Sequence, residues 1–219
     1  MAGDFTDKVV LITGGTRGIG KALAIQLAAA GGRLALNYMS RQEDAEQAVA
    51  EVQQAGGEAV AIAGDVSMPE SAAEIVAATR EALGPVDMLV TSAGISMPGS
   101  ADDVTWERWK KTMSVNLDGT FNMIYAVKDE MVQRGFGRMV TISSIAGLRE
   151  RENQLPYSTS KAGVIAMTRC AAQAWAKHNI RVNCVCPGLT ETEMAHTLSA
   201  EVRKEILAAT PLGRIGRPE

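Results

Sequence analysis

The chain has 219 residues, 46% of them hydrophobic and 21% charged, with a formal net charge of −3. This is enough apolar chain for a single domain spanning 1–219 with a sizeable core, and the slight acidity excludes the basic footprint of a nucleic-acid binder. Apolar runs are broken well before membrane-spanning length and no signal-peptide pattern opens the chain, so a cytoplasmic protein with no membrane and no nucleic-acid partner is expected.

Lys8-Val9-Val10-Leu11-Ile12-Thr13 reads as a short buried strand running into Gly14-Gly15-Thr16-Arg17-Gly18-Ile19-Gly20 and then a helix over 18–30. Glycines at a strand-to-helix turn allow positive φ and close backbone approach, and the helix start offers free N–H groups and a positive dipole end to a pyrophosphate. Alone, such a turn reads equally as a tight loop. Further β-branched or aliphatic runs follow at 34–38, 59–63, 87–91, 138–143 and 181–185, with helical patterns between them at 43–54, 69–83, 106–134 and 156–177. This alternation predicts an α/β fold, a doubly wound parallel sheet of the Rossmann kind with helices on both faces. Ligands of such sheets bind beyond the carboxyl ends of the strands. There lie the glycine turn, Asp65, Ser92 to Gly94, Ser143, Ser144, Pro187 and Gly188.

Tyr157-Ser158-Thr159-Ser160-Lys161 follows Ser144 by 13 residues. Helical positions four apart share a face, with Cβ atoms roughly 5–6 Å from each other. A cation about 5 Å from a phenol, at an effective dielectric of ~20, is worth about 3 kcal/mol. Lys161 is therefore expected to lower the Tyr157 pKa and make the phenol a usable acid and base. Taken alone, the pair reads as an exposed polar pair on an amphipathic helix. Cys170, Cys184 and Cys186 read as reduced core thiols rather than disulfides or metal ligands, and His178 and His196 as surface histidines.

Thr13 to Gly20, Asp65-Val66, Ser92-Ala93-Gly94, Asn116, Ser144, Tyr157 with Lys161, and Pro187-Gly188 occur in an order and spacing that resemble the short-chain dehydrogenases/reductases, from about Lys8 to the last residue. Within that family, the stretch from Arg181 to Thr192 and Pro211-Leu212-Gly213-Arg214 are most similar to bacterial 3-oxoacyl-acyl-carrier-protein reductases of fatty acid synthesis. The resemblance implies hydride transfer from NADPH to a carbonyl, giving a secondary alcohol. On it, Tyr157 gives a proton to the carbonyl oxygen, Ser144 hydrogen-bonds that oxygen, Lys161 also holds the nicotinamide ribose, and Asn116 completes a proton relay through a water. Without the family, Asn116 reads as a helix-interior amide bonded to backbone; Ser143 is the rival for Ser144, and the spacing to Tyr157 favours Ser144.

For the cofactor, the resemblance assigns Gly14, Thr16, Arg17, Gly18, Ile19 and Gly20 to the glycine turn, Asp65 to the adenine amine with Val66 beside it, and Ser92, Ala93 and Gly94 to the adenosine. Pro187, Gly188, Thr190 and Thr192 fall to the carboxamide, and Tyr157 and Lys161 serve both cofactor and chemistry. Asp65 also reads as a turn residue after a strand. The second strand ends in Asn37-Tyr38-Met39-Ser40-Arg41, without the carboxylate an NAD site places about 20 residues beyond the glycine turn. Ser40 and Arg41, with Arg17, thus predict NADP(H), the arginines clamping a 2′-phosphate. Each arginine alone reads as a solvated surface group.

Ser92 stands where the family has asparagine. The chain stops at Arg217-Pro218-Glu219, where family members continue with a helix and a final strand. A missing C-terminal strand, an open sheet edge at 181–185 and weakened support for 187–192 are therefore expected, as of a fragment. Substrate-side loops are expected around 145–156 and 189–212. Arg149 or Arg151 in the charged stretch 148–155 is a candidate to meet an anionic substrate. Arg134 and Lys177 are candidate contacts for acyl carrier protein. A homodimer or homotetramer is expected through the helices at 106–134 and 156–177. The alternatives are a relative acting on a sugar, polyol, steroid or other small ketone, or a non-catalytic nucleotide-binding subunit. Intact Asn116, Ser144, Tyr157 and Lys161 argue against the second.

Overall fold

A computed structural model describes residues 5–149, 152–196 and 198–219. The elements in chain order are β1 (Val9–Thr13), α1 (Gly18–Ala29), β2 (Arg33–Tyr38), α2 (Gln42–Gln54), β3 (Glu58–Ala63), α3 (Pro69–Leu83), β4 (Met88–Thr91), α4 (Trp106–Met113), α5 (Gly119–Arg134), β5 (Gly137–Ile142), α6 (Leu155–Trp175), β6 (Ile180–Val185), α7 (Glu193–His196) and α8 (Ala200–Ala208). The strands form one parallel sheet in the order β3-β2-β1-β4-β5-β6. The chain reverses its winding between β1 and β4, and the crevice beyond the carboxyl ends of these two strands is where such sheets take ligands.

Alternation of side chains along β1 builds a core on each face. Val9 and Leu11 pack with Leu89, Met139 and Val182 against Ile75 of α3, Met123 and Val127 of α5 and Ala171 of α6. Val10 and Ile12 point the other way, with Leu34, Leu36 and Val90, against Ala24 and Leu27 of α1 and Ala48 and Val52 of α2. All five residues of β1 are buried, the continuous apolar pattern of a strand covered on both sides. Each fully buried aliphatic side chain contributes roughly 1.5–3 kcal/mol.

The far end of the sheet is closed by Asp87. One of its carboxylate oxygens accepts from Val9 N at 3.1 Å and the other pairs with the Arg134 guanidinium, which also donates to Val86 O at 3.1 Å. Arg134 and Lys177 precede β5 and β6, so in this chain they lie at the amino ends of the strands, away from Ser144. Neither lines the rim of the site, contrary to the expectation for acyl carrier protein.

The stretch 106–134 is not one helix. A π-helical turn at Ser114–Asp118 separates α4 from α5 and carries Asn116 inward, fully buried. Residues α7 and α8 occupy a stretch for which sequence periodicity predicted no helix. β6 pairs only with β5 among the described strands and forms the sheet edge at 180–185. Among the described residues, no helix is long and apolar enough to cross a membrane, and no cluster of His, Cys, Asp or Glu is suited to a metal ion.

Candidate active site

At the carboxyl end of β1, the buried hydroxyl of Thr13 accepts hydrogen bonds from the amides of Ser92 and Ala93, both at 3.1 Å. This ties the turn after β4 to the turn after β1, a role the sequence reading did not assign. Gly14 has φ +60°, and a Cβ there would sit 3.0 Å from Ala93 Cα; one on Gly20 would sit 2.4 Å from Gly14 O. The glycines thus let α1 begin directly against the turn. Lys21 N is bonded to Arg17 O, so the amides of Gly18, Ile19 and Gly20 precede the helical ladder. The helix start has no side-chain cap and no acidic residue in its first turn. An anion is the natural complement of such an end. Thr13→Val is expected to cost about 1–2 kcal/mol, because two amides lose their acceptor. It should also weaken nucleotide binding, and thermal denaturation with cofactor titration checks both.

Asp65 follows β3 and caps its own turn: Oδ1 accepts from Ser67 N at 2.9 Å and from Ser67 Oγ at 2.7 Å. Burial works against its ionisation, but the Ser67 hydrogen bonds and the nearby Lys111 charge outweigh it and hold the carboxyl below its usual range. Val66 packs beside it, its carbonyl held by Asn122 Nδ2 at 2.9 Å. The turn reading of Asp65 is therefore correct as far as Oδ1 is concerned.

Beyond β5 the two serines separate. Ser143 is buried and donates to Lys161 O at 2.7 Å, which fixes backbone to backbone. Ser144 opens the short 3-10 turn at Ile145–Gly147, accepts from Ala146 N at 3.1 Å and shares a hydrogen bond with the Tyr157 hydroxyl. A Cβ on Gly147 would stand 2.8 Å from the backbone of Lys161, so this turn lies flat on α6 and sets Ser144 opposite Tyr157.

Tyr157 and Lys161 are not an exposed pair. Lys161 is 5% exposed, and its Nζ lies 5.8 Å from the Tyr157 ring centroid while donating to Ile142 O at 2.8 Å. The expectation that Lys161 lowers the Tyr157 pKa does not hold. Burial raises the phenol above its ordinary value, and only the Ser144 hydrogen bond pulls it back. Lys161 is itself lowered to about 8 by burial, with the nearby Cys184 and Cys186 opposing that shift. Desolvation is the largest influence on both groups.

Asn116 is the backbone-bonded helix amide that it reads as without the family. Its Oδ1 accepts from Ile95 N at 2.8 Å, and its Nδ2 donates to Ile95 O at 3.0 Å and Ser160 Oγ at 3.1 Å. It is a backbone clamp, and it also stands beside the chemistry: a Cβ on Gly94 would be 3.3 Å from Asn116 Oδ1 and 3.5 Å from Lys161 Nζ. Cys184 and Cys186 are free, as expected, but half-buried on one side of the chain with Sγ atoms 4.0 Å apart, and Cys170 is exposed. None of the three is a core thiol, and His178 is half-buried rather than on the surface.

After β6, Pro187 O accepts from Ile145 N at 2.9 Å and joins the two loops. Thr190 forms a bridge to Gly216, and the Thr192 methyl lies against Gly18, 3.2 Å from where a Cβ would be. The segment thus folds over the glycine turn. Arg17 and Arg41 are exposed, as each reads alone, but they are not free: both bond to the Glu193 carboxylate, with Asp44 beside them. Ser40 and Arg149 are exposed, and Arg151 lies outside the described residues.

The short chain dehydrogenase family model matches residues 8–203. Acetoacetyl-CoA reductase of Rhizobium meliloti is 40% identical over 213 residues, 97% of this chain and 86% of that protein. L-Rhamnose 1-dehydrogenase (NAD(P)(+)) of a Sphingomonas species is 40% identical over 215 residues, covering 97% and 85%. The crystal structure of 3-oxoacyl-[acyl-carrier protein] reductase from Brucella melitensis superposes with a TM-score of 0.91 at 32% identity, covering 98% of this chain and 81% of that one. The chain belongs to the short-chain dehydrogenase family, and it is an oxidoreductase of carbonyl and alcohol groups that uses a nicotinamide cofactor.

Proposed function

We propose that this protein reduces the ketone of a 3-oxoacyl thioester to the 3-hydroxyacyl thioester with NADPH. The observation that carries the chemistry is the hydrogen-bonded Ser144–Tyr157 pair beside buried Lys161 at the mouth of the β1/β4 crevice. The bare amides of Gly18, Ile19 and Gly20, with the glycine turn behind them, suit the cofactor pyrophosphate. When bound, the reduced nicotinamide supplies the hydride. Tyr157 Oη, protonated at neutral pH because burial raises its pKa, transfers its proton to the carbonyl oxygen. Ser144 Oγ accepts from Ala146 N and so keeps its own proton for the same oxygen, where negative charge develops. Lys161 holds the ribose, and Asn116 keeps the Ile95 turn in place and closes the relay that returns a proton to Tyr157.

The preference for NADPH rests on Arg17 and Arg41 converging at the end of β2, where no carboxylate of β2 stands to exclude a 2′-phosphate. Arg41→Asp is expected to lower kcat/KM for NADPH by about tenfold or more, the worth of one charge-assisted contact, and to leave NADH nearly unchanged. Equal losses with both cofactors would contradict it. The choice of a thioester draws on the acetoacetyl-CoA and 3-oxoacyl reductases among the relatives, and the rhamnose dehydrogenase supports a sugar as the second reading. Cofactor oxidation with acetoacetyl-CoA against a panel of aldoses decides between them. Turnover confined to the sugars would overturn the thioester assignment.

A homo-oligomer is part of the same proposal. Phe121 and Tyr125 stack at 4.1 Å on the exposed side of α5, and Trp175 of α6 meets Tyr125 edge-on at 6.2 Å. A second copy is the natural cover for this aromatic strip.

A further inference from the structure

Two cationic side chains from different elements share one oxygen of one carboxylate. Arg17 Nη1 lies 2.6 Å and Arg41 Nη1 3.2 Å from Glu193 Oε2. Arg17 comes from the residue before α1, Arg41 from the residue before α2, and Glu193 opens α7 far along the chain. Asp44 adds a second carboxylate, 3.4 Å from Arg41 and 3.8 Å from Arg17. The two acids are held differently. Asp44 belongs to the first turn of a 13-residue helix anchored by buried Ala45, Ala48 and Val52, where the helix dipole favours a negative charge. Glu193 sits on a four-residue helix and is more than half exposed. A group of three terminal oxygens and up to two charges arriving at Arg17 and Arg41 therefore meets one fixed acid and one that can swing away.

We propose that Glu193 is a specificity-determining residue of the cofactor site: its carboxylate takes the place of the ribose 2′-phosphate between Arg17 and Arg41 and must leave before that phosphate binds. This rests on the reading of the two arginines as the 2′-phosphate clamp. Glu193 competes only with cofactors that carry the phosphate, so it narrows the margin between NADPH and NADH that the arginines create. Because Thr192 lies against Gly18, the same displacement loosens the segment that folds over the glycine turn. Phosphate arrival at the ribose is thereby coupled to the position of α7.

The test is direct binding by calorimetry of adenosine 2′,5′-bisphosphate, NADPH and NADH to the wild type, Glu193→Gln and Arg41→Asp, with hydrogen exchange of the α7 amides as a second readout. Glu193→Gln is expected to tighten the bisphosphate and NADPH by roughly three- to tenfold, the size that two exposed ion pairs supply, with NADH changed less than about twofold. In the wild type, the bisphosphate alone, which carries no nicotinamide, should accelerate exchange in α7. Equal changes for NADPH and NADH in Glu193→Gln, or unaltered α7 exchange, would overturn the proposal while leaving the clamp in place, provided Arg41→Asp still weakens the bisphosphate. If Arg41→Asp binds the bisphosphate as the wild type does, the clamp reading fails and this proposal with it.

Discussion

Tyr157→Phe is expected to lower the turnover of ketone reduction by about 10²–10⁴-fold, the usual worth of a positioned general acid. The affinity for the reduced cofactor should stay within about twofold, because the substitution removes one oxygen and leaves the ring packing and Lys161 in place. The phenol is protonated throughout the neutral range, so reduction by the wild type should be nearly flat with pH there, whereas oxidation of the alcohol needs the phenolate and should rise with pH. Steady-state rates in both directions with a cofactor titration check this, and a Tyr157→Phe variant that lost affinity instead of turnover would assign the residue to binding.

Lys161→Met should abolish most activity and yet stabilise the fold near neutral pH. The buried ammonium has its pKa lowered from 10.5 to about 8, and a shift of that size corresponds to about 3 kcal/mol of destabilisation of the charged form. Loss of the bond to Ile142 O offsets about 1 kcal/mol of this, leaving a gain of roughly 2 kcal/mol. The sign follows from proton counting. Below pH 8 both folded and unfolded chains carry the proton, and the folded state bears the full penalty. Between about pH 8 and 10.5 the folded state has released the proton while the unfolded chain keeps it, so wild-type stability rises with pH through this window. The advantage of Lys161→Met should therefore be greatest below pH 8 and fade by about 10.5. Denaturant melts of both proteins across that range measure it, and a variant less stable than the wild type at pH 7 would show that the ammonium is better solvated than its burial implies.

The alternation of apolar runs and helical patterns was legible because a sheet covered on both faces makes its strands apolar throughout, as in β1. The break between α4 and α5 was not, because the π turn depends on what Asn116 bonds to: Ile95, 21 residues earlier, and Ser160, 44 residues later. Periodicity carries no trace of either contact. The sequence placed Tyr157 and Lys161 on one helical face correctly but misjudged their electrostatics, since spacing reveals proximity and not burial. Spacing to Tyr157 favoured Ser144 over Ser143, and the structure gives the physical reason, turning one hydroxyl toward the Lys161 carbonyl and the other toward Tyr157. The partner of Arg17 lies 176 residues away, beyond any local pattern. What remained readable throughout was the glycine turn, where steric demands act on the residue type itself.

The central claim is that Ser144 and Tyr157 act together on one carbonyl oxygen. The most direct measurement is single-turnover oxidation of bound NADPH by a ketone substrate in Ser144→Ala, Tyr157→Phe and the double variant, with cofactor saturation verified in each. Groups that work as one unit are strongly non-additive, so the double variant should be no more than about tenfold slower than the slower single variant. If the two losses simply multiply, Ser144 and Tyr157 act independently and the account of this site is wrong.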